Sequence, residues 1–99
     1  MAQLQVALQE GFEGETVVIR VAGREVFRKD NVTTKLQIGF AESFEMNVEE
    51  GSVNLEIALP AKALSKAIDL QAKNTIYVGV SIIAGQVAYR ISQDPFGYV

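Results

Sequence analysis

Apolar and polar residues alternate with a period of two along most of this chain. The alternation is clearest at residues 4–8, 53–59 and 75–82, where every second residue is Leu, Val or Ile. Successive side chains of a β-strand point to opposite faces, so this period places the apolar residues of each segment on one face. Turns that contain glycine separate the segments, as is typical of an antiparallel sandwich or barrel. The pattern predicts an all-β domain of about seven or eight strands.

The segments on either side of Ala22-Gly23 are predicted to form a hairpin. A two-residue turn would place Arg20 opposite Glu25, as a cross-strand ion pair, and Val18 opposite Phe27. A three-residue loop with a bulge is the alternative, because Ala-Gly is not the Asn-Gly pair that two-residue turns prefer. The two arrangements differ by one residue in register, which moves partners from one face to the other.

Two further hairpins are predicted from neighbouring segments that both alternate. Residues 43–48 and 53–59 lie on either side of a four-residue turn and form the clearest hairpin of the chain. Residues 75–82 and 86–92 are expected to pair through Ala84-Gly85. In both hairpins the apolar residues of the two strands share one face, which can pack on a second sheet.

Two segments are less regular than the rest. Residues 60–65 begin with Pro60 and continue with good helix formers, so we expect a loop or a single helical turn there, followed by a short strand. A further strand is expected at residues 35–40, whose apolar residues have a period of two: Leu36, Ile38 and Phe40.

The composition excludes most familiar enzyme designs. The 99 residues include no Cys and no His, which removes thiolate nucleophiles, zinc–thiolate sites and imidazole as a general base. Trp, a common stacking platform for sugars, is absent too. The formal net charge of −3 disfavours a nucleic acid as partner. With no run of about 18 apolar residues and no secretory signal, the sequence predicts one soluble, cytoplasmic domain over residues 1–99 that does not enter a membrane.

Acidic side chains are the first candidates for chemistry. In the clearest predicted hairpin Glu45 lies directly opposite Glu56, where like charges destabilise a sheet. A glycosidase uses two carboxylates at the separation of a cross-strand pair as its acid and base. No cleft or sugar-binding aromatic residue accompanies Glu45 and Glu56, however. Solvated carboxylates are the preferred interpretation, so no catalytic residue, metal or cofactor is predicted. A second acidic set lacks the Asp-rich spacing of a calcium loop: Glu10, Glu13 and Glu15.

A small-ligand or carbohydrate site is the second candidate. Gly79 has no side chain and would leave a gap on its sheet, beside aromatic and cationic residues of the same predicted hairpin. Tyrosine rings and guanidinium groups are suited to polar ligands because they combine a flat surface with hydrogen-bond donors. The residues expected to line this gap are Tyr77, Tyr89 and Arg90.

The C-terminal residues are the third candidate. Pro95 ends the last predicted strand, and apolar side chains then alternate around Gly97: Phe96, Tyr98 and Val99. Two interpretations are open. These side chains plug the open end of their own sandwich, or they pack on a second copy of the chain.

The alternating strands, with Thr75-Ile76-Tyr77-Val78 near the end, resemble immunoglobulin-like and transthyretin-like sandwiches. The resemblance is one of architecture and implies no site residues. Because catalytic residue types are missing and the mean hydropathy is slightly positive, we expect a non-enzymatic module that binds a protein partner or itself through an exposed strand edge or apolar face. The alternative is a sandwich that binds a small ligand or a carbohydrate.

Overall fold

The computed structural model describes residues 1–35, 37 and 39–94. Eight strands form two packed four-stranded sheets in this part of the chain, which confirms the predicted all-β sandwich. The strands are β1 Ala2–Leu8, β2 Glu13–Val21, β3 Arg24–Thr33, β4 Glu42–Val48, β5 Gly51–Leu59, β6 Leu64–Ala72, β7 Thr75–Ile83 and β8 Gln86–Ser92.

The two sheets have different strand orders. Sheet 1 has the order β4-β1-β7-β8, and sheet 2 has the order β3-β2-β5-β6. β1 and β7 run parallel, whereas the other five described pairs are antiparallel. The parallel pair departs from the predicted antiparallel arrangement, because a period of two does not reveal the direction of a neighbouring strand.

The core is built by the alternation that the sequence shows. In β1 every second residue is buried, from Ala2 to Leu8, and the residues between them are half-buried. β2 lies inside its sheet and has three consecutive buried residues, Val17–Ile19. Removal of these side chains from water is the main favourable contribution to folding. The largest fully buried side chains come from both sheets and from the loop after β1, and include Phe12, Leu4, Leu8, Ile19, Leu55 and Ile57.

The hairpin predicted from residues 43–48 and 53–59 is wrong. β4 pairs with β1, with Val48 opposite Ala2, whereas β5 pairs with β2 and β6. The connection at residues 49–50 therefore crosses from one sheet to the other. Alternation determines which face of a strand is apolar, and two such faces can be stacked face to face as well as placed side by side.

The charges of the two strands are consequently separated. Glu45 lies opposite Gln5 in sheet 1, and Glu56 lies opposite Arg20 in sheet 2. Arg20 Nη1 donates a hydrogen bond to Glu56 Oε1 at 2.9 Å, so Arg20 bonds to Glu56 rather than to Glu25, its predicted partner. Because Glu45 and Glu56 lie in different sheets, the cross-strand carboxylate pair considered for a glycosidase does not form.

β2 and β3 form the predicted hairpin with a bulge. Arg20 lies opposite Glu25, as predicted for the two-residue turn, but Ile19 rather than Val18 lies opposite Phe27. The turn has two residues, Ala22 and Gly23, so the three-residue loop does not form, and the register shift between Ile19 and Arg20 places a bulge within the strands instead. One extra residue on β3 is enough to bring Phe27 to the inner face.

Two other predictions near the turns are confirmed. β7 and β8 pair through Ala84-Gly85, with Val80 opposite Tyr89 and Val78 opposite Ile91. A 3₁₀ turn at Pro60–Lys62 precedes β6, which is nine residues long rather than short.

The strand predicted at residues 35–40 is wrong. Lys35 and Phe40 form an isolated antiparallel bridge, and the Gly39 N–H donates to the Lys35 carbonyl at 2.9 Å, so the chain turns back on itself. Gly39 has a φ of 66°, which suits a turn and not a strand. Leu36 and Ile38 lie outside the described residues.

Gly11 lies where the loop after β1 meets the end of β7. The Ile82 N–H donates to the Glu10 carbonyl at 2.8 Å, and a Cβ atom at Gly11 would lie 2.1 Å from the Ile82 carbonyl oxygen. Gly11 also has a φ of 88°. Both space and backbone conformation therefore require glycine at this position.

Gly11→Ala is expected to lower the free energy of unfolding by about 2–5 kcal/mol, because a backbone clash adds to left-handed strain. Gly23→Ala is the matched control. Gly23 has a φ of 79°, and a Cβ atom added there would meet nothing within 4 Å, so strain alone should cost about 1–2 kcal/mol. Urea denaturation measures the free energy of unfolding of both variants. Equal losses of stability in the two would show that the close approach of Gly11 to Ile82 does not restrict position 11.

Candidate functional site

The predicted ligand residues are divided between two places in sheet 1. Tyr77 lies opposite Ser92 on the outer face, where it lines a cavity of about 330 Å³ with Lys73. Tyr89 and Arg90 line a second cavity of about 250 Å³. Tyr89 and Arg90 thus line one cavity at the β8 edge, although their side chains leave opposite faces of the strand. Tyr77 shares the outer face with Arg90 but lines a different cavity.

The gap expected at Gly79 is filled. Gly79 lies opposite Arg90, and a Cβ atom there would lie 2.7 Å from the side-chain oxygen of Gln9. Gln9 is buried and is held by its backbone N–H, which donates to the Val80 carbonyl at 2.7 Å. Arg90 is also engaged by another group. Glycine at position 79 therefore makes room for an amide of the same chain.

The sandwich has two long sides, where the edge strands of the two sheets face each other. On the side formed by β3 and β4, the rings of Phe27 and Phe44 lie 5.4 Å apart with a tilted geometry. Lys29 Nζ forms an ion pair with Glu42 next to this contact. Both charged side chains lie at inward positions, since Lys29 is opposite the buried Val17 and Glu42 is opposite the buried Leu8. An aromatic contact and an ion pair thus close this side.

The side formed by β6 and β8 is closed less completely. Lys66, which lies opposite the buried Ile57, points inward and places Nζ 5.8 Å from the centre of the Tyr89 ring. Tyr89 is nevertheless 42% exposed and Ile91 47% exposed, although both belong to the inner face of β8. The β8 edge therefore presents apolar surface to solvent. We call the exposed residues Tyr89 and Ile91 the β8 patch.

The inward charges at these sides, Lys29, Glu42 and Lys66, were not among the candidates drawn from the sequence. Their position facing the opposite sheet is defined by the strand partners. For Lys66 the signal is present in the sequence, since it precedes Ile68 and Leu70 by two and four residues. A charge in an apolar period of two is a sign of an edge strand.

Glu15 is a buried carboxylate with defined partners. Its side chain is 5% exposed and lies 2.8 Å from Lys62 Nζ in the 3₁₀ turn, and it accepts a hydrogen bond from the Glu13 N–H. Burial alone would raise the pKa of Glu15, but Lys62 and the backbone N–H groups of Glu13 and Glu15 hold it below its ordinary value. The pair fastens the turn after β5 onto β2.

Acid should destabilise the protein partly through Glu15. A carboxyl group with a lowered pKa contributes stability that is present above its unfolded value and is lost as the pH falls through the folded pKa. We expect Glu15→Gln to lower the free energy of unfolding by about 1–3 kcal/mol at neutral pH. The variant should also show a smaller decline in stability below about pH 4.5. Urea denaturation between about pH 3 and pH 7 measures both effects. An unchanged acid slope would contradict this role.

The described residues contain no group of three acidic or histidine side chains that could hold a metal ion. Of the acidic set Glu10, Glu13 and Glu15, interpreted from the sequence as solvated carboxylates, Glu15 is instead buried and bonded to Lys62. Across the same residues there is no helix of the length and apolarity needed to cross a membrane.

Phe96, Tyr98 and Val99, the predicted interaction residues of the C-terminus, lie outside the described residues. Comparison with protein-family models, with curated proteins and with solved structures found no match for the chain. Its function is therefore inferred from the geometry of the described residues.

Proposed function

We propose that this domain is a non-enzymatic interaction module that pairs with a second copy of itself through the β8 edge. The observation that carries the proposal is the exposure of the β8 patch, in which two inner-face side chains, Tyr89 and Ile91, reach solvent. A cytoplasmic location is part of the same proposal.

A comparison of the four edge strands supports this choice of surface. Unpaired edges invite association with other strands, and inward-pointing charges are one means by which proteins prevent it. β3, β4 and β6 carry such charges in Lys29, Glu42 and Lys66. The inward positions of β8 hold only uncharged residues, Val87, Tyr89 and Ile91. Among the described edges, β8 is thus the one without this protection.

The sequence of β8 is compatible with antiparallel pairing to itself. A twofold axis at Tyr89 would place Arg90 opposite Ala88 and Ile91 opposite Val87, so no like charges face each other directly. β8 also contains no Pro, so no backbone N–H is missing from its free edge. The pairing would join two copies of sheet 1 into one continuous eight-stranded sheet.

Light scattering coupled to size-exclusion chromatography tests this proposal. The unmodified protein should be a dimer, and Ile91→Lys, which adds the missing inward charge, should raise the dissociation constant about tenfold or more, equivalent to a loss of ~1.4 kcal/mol. Ser43→Lys adds the same charge to the outer side of β4 and should leave the dimer intact. A protein that is monomeric at its highest soluble concentration would overturn the proposal, as would equal weakening by both variants.

A carbohydrate-binding function is the second candidate, and it is favoured by the uncharged outer face of the two central strands of sheet 1, β1 and β7. The outward positions of β1 and β7 carry no charge, and Gln5 lies beside Tyr77 in the parallel pair. Gln5 Nε2 donates to Gln3 Oε1 at 3.0 Å, which orders the amides next to the ring. A half-buried aromatic ring flanked by amides suits the apolar face and the hydroxyl groups of a neutral sugar.

Tyr77→Ala should weaken binding of neutral oligosaccharides roughly tenfold, the effect of losing one aromatic contact. Tyr89→Ala is the matched control, since it removes the same ring from the opposite face of the sheet. Isothermal titration with neutral oligosaccharides measures both. If neither the parent protein nor the control binds any of them, the second candidate is excluded.

A further inference from the structure

Lys66 is a cation at an inward position that lacks a negative partner. It lies opposite Ile57 in β6, and its ammonium group lies 5.8 Å from the centre of the Tyr89 ring. Across the described residues it forms no hydrogen bond and no ion pair. Lys29, the inward cation on the other long side of the sandwich, is by contrast paired with Glu42. The side formed by β6 and β8 therefore carries an uncompensated positive charge.

The strands around Lys66 supply no carboxylate. The acidic residue of β6, Asp69, lies on the outer face, where it accepts a hydrogen bond from Asn54 at 3.0 Å. Apart from Lys66, the inward positions between Leu64 and Leu70 of β6 and those of β8 are uncharged: Leu64, Ile68, Leu70, Val87, Tyr89 and Ile91. On this side of the sandwich, the described part of the chain thus contains no negative group for the Lys66 ammonium.

The proposed β8 dimer would bring two such charges to one place. With the twofold axis at Tyr89, the two Tyr89 residues lie directly opposite each other, with Cβ atoms about 4.5–5.5 Å apart. β6 is the edge strand stacked against β8, so the β6 edges of the two copies approach each other as well. Each Lys66 ammonium accompanies its own Tyr89 ring, so both ammonium groups face the same axis. Like charges brought together in an interface oppose association.

We propose that the β8 dimer binds one doubly charged oxyanion, sulfate or phosphate, on its twofold axis between the two Lys66 side chains. The two ammonium groups balance the two negative charges, and each long, flexible side chain can direct its three N–H donors at the anion. A single copy supplies half of the site, since one exposed lysine gains little from an ion pair in water. The inference rests on the proposed self-association and adds an anion that regulates it.

Analytical ultracentrifugation at constant ionic strength tests the inference, with part of the sodium chloride replaced by sodium sulfate. Sulfate at millimolar concentration should lower the dissociation constant of the dimer about fivefold or more. The physical reason is mass action, because an anion that binds the dimer and not the single copy shifts the equilibrium toward the dimer.

Three variants separate a bound anion from the general strengthening of apolar association by sulfate. Lys66→Gln should make the dissociation constant the same in both salts, whereas Lys66→Arg, which keeps the charge, should retain the sulfate response. Lys73→Gln is the matched control and should also retain it. Lys73 is exposed, follows β6 in the connection to β7, and likewise forms no ion pair within the described ranges.

The outcomes distinguish this inference from self-association itself. A dimer whose dissociation constant is the same in chloride and in sulfate overturns the anion site and leaves the β8 pairing in place. A sulfate response that persists in Lys66→Gln has the same consequence. A protein that stays monomeric in both salts overturns the anion site together with the dimer.

Discussion

Two stacked sheets share one apolar layer, and that layer is stable only if its long sides are closed. In this protein the sides are formed by the edge strands of the two sheets: β4 faces β3 on one side, and β8 faces β6 on the other. The first side uses an aromatic contact and an ion pair between the sheets. The second side uses one lysine over one tyrosine. This inequality underlies the choice of the β8 edge as an interaction surface.

The fold class followed from the sequence because alternation is a local property. Leu4, Val6 and Leu8 are buried together whatever strand lies beside them, and the same holds for the inner residues of β5 and β7. Strand partners are not local. β4 and β5 both alternate, so the sequence could not distinguish a hairpin from a crossing between sheets. The outcome depends on pairing with strands distant in the sequence: β4 pairs with β1, and β5 pairs with β2.

The candidate sites were predictable to a smaller degree, for the same reason. Tyr89 and Arg90 line a common cavity, but their adjacency in the sequence sends their side chains to opposite faces of β8. Tyr77 shares the outer face with Arg90 and lines a different cavity. The occupation of the Gly79 gap by Gln9 depends on the parallel β1–β7 pair, which no pattern indicates. The Glu15–Lys62 pair joins residues far apart in the chain. The sequence contains one indication of this pair: Glu15 precedes the apolar residues Val17 and Ile19 by two and four positions, so it lies on the same face of the strand.

The magnitudes indicate what an association through β8 would require. Complete burial of a large apolar side chain contributes about 1.5–3 kcal/mol, and Tyr89 and Ile91 each leave nearly half of that unrealised. In a twofold dimer both copies contribute Tyr89 and Ile91, so burial of the four side chains would supply roughly 4 kcal/mol of binding free energy. Association itself costs about 4–15 kcal/mol, so apolar burial alone does not produce a stable dimer. The backbone hydrogen bonds between two β8 strands must supply the remainder. The edge as a whole, and not the β8 patch alone, is therefore the interacting element, and a single inward charge acts by disturbing the strand pairing as well as the apolar contact.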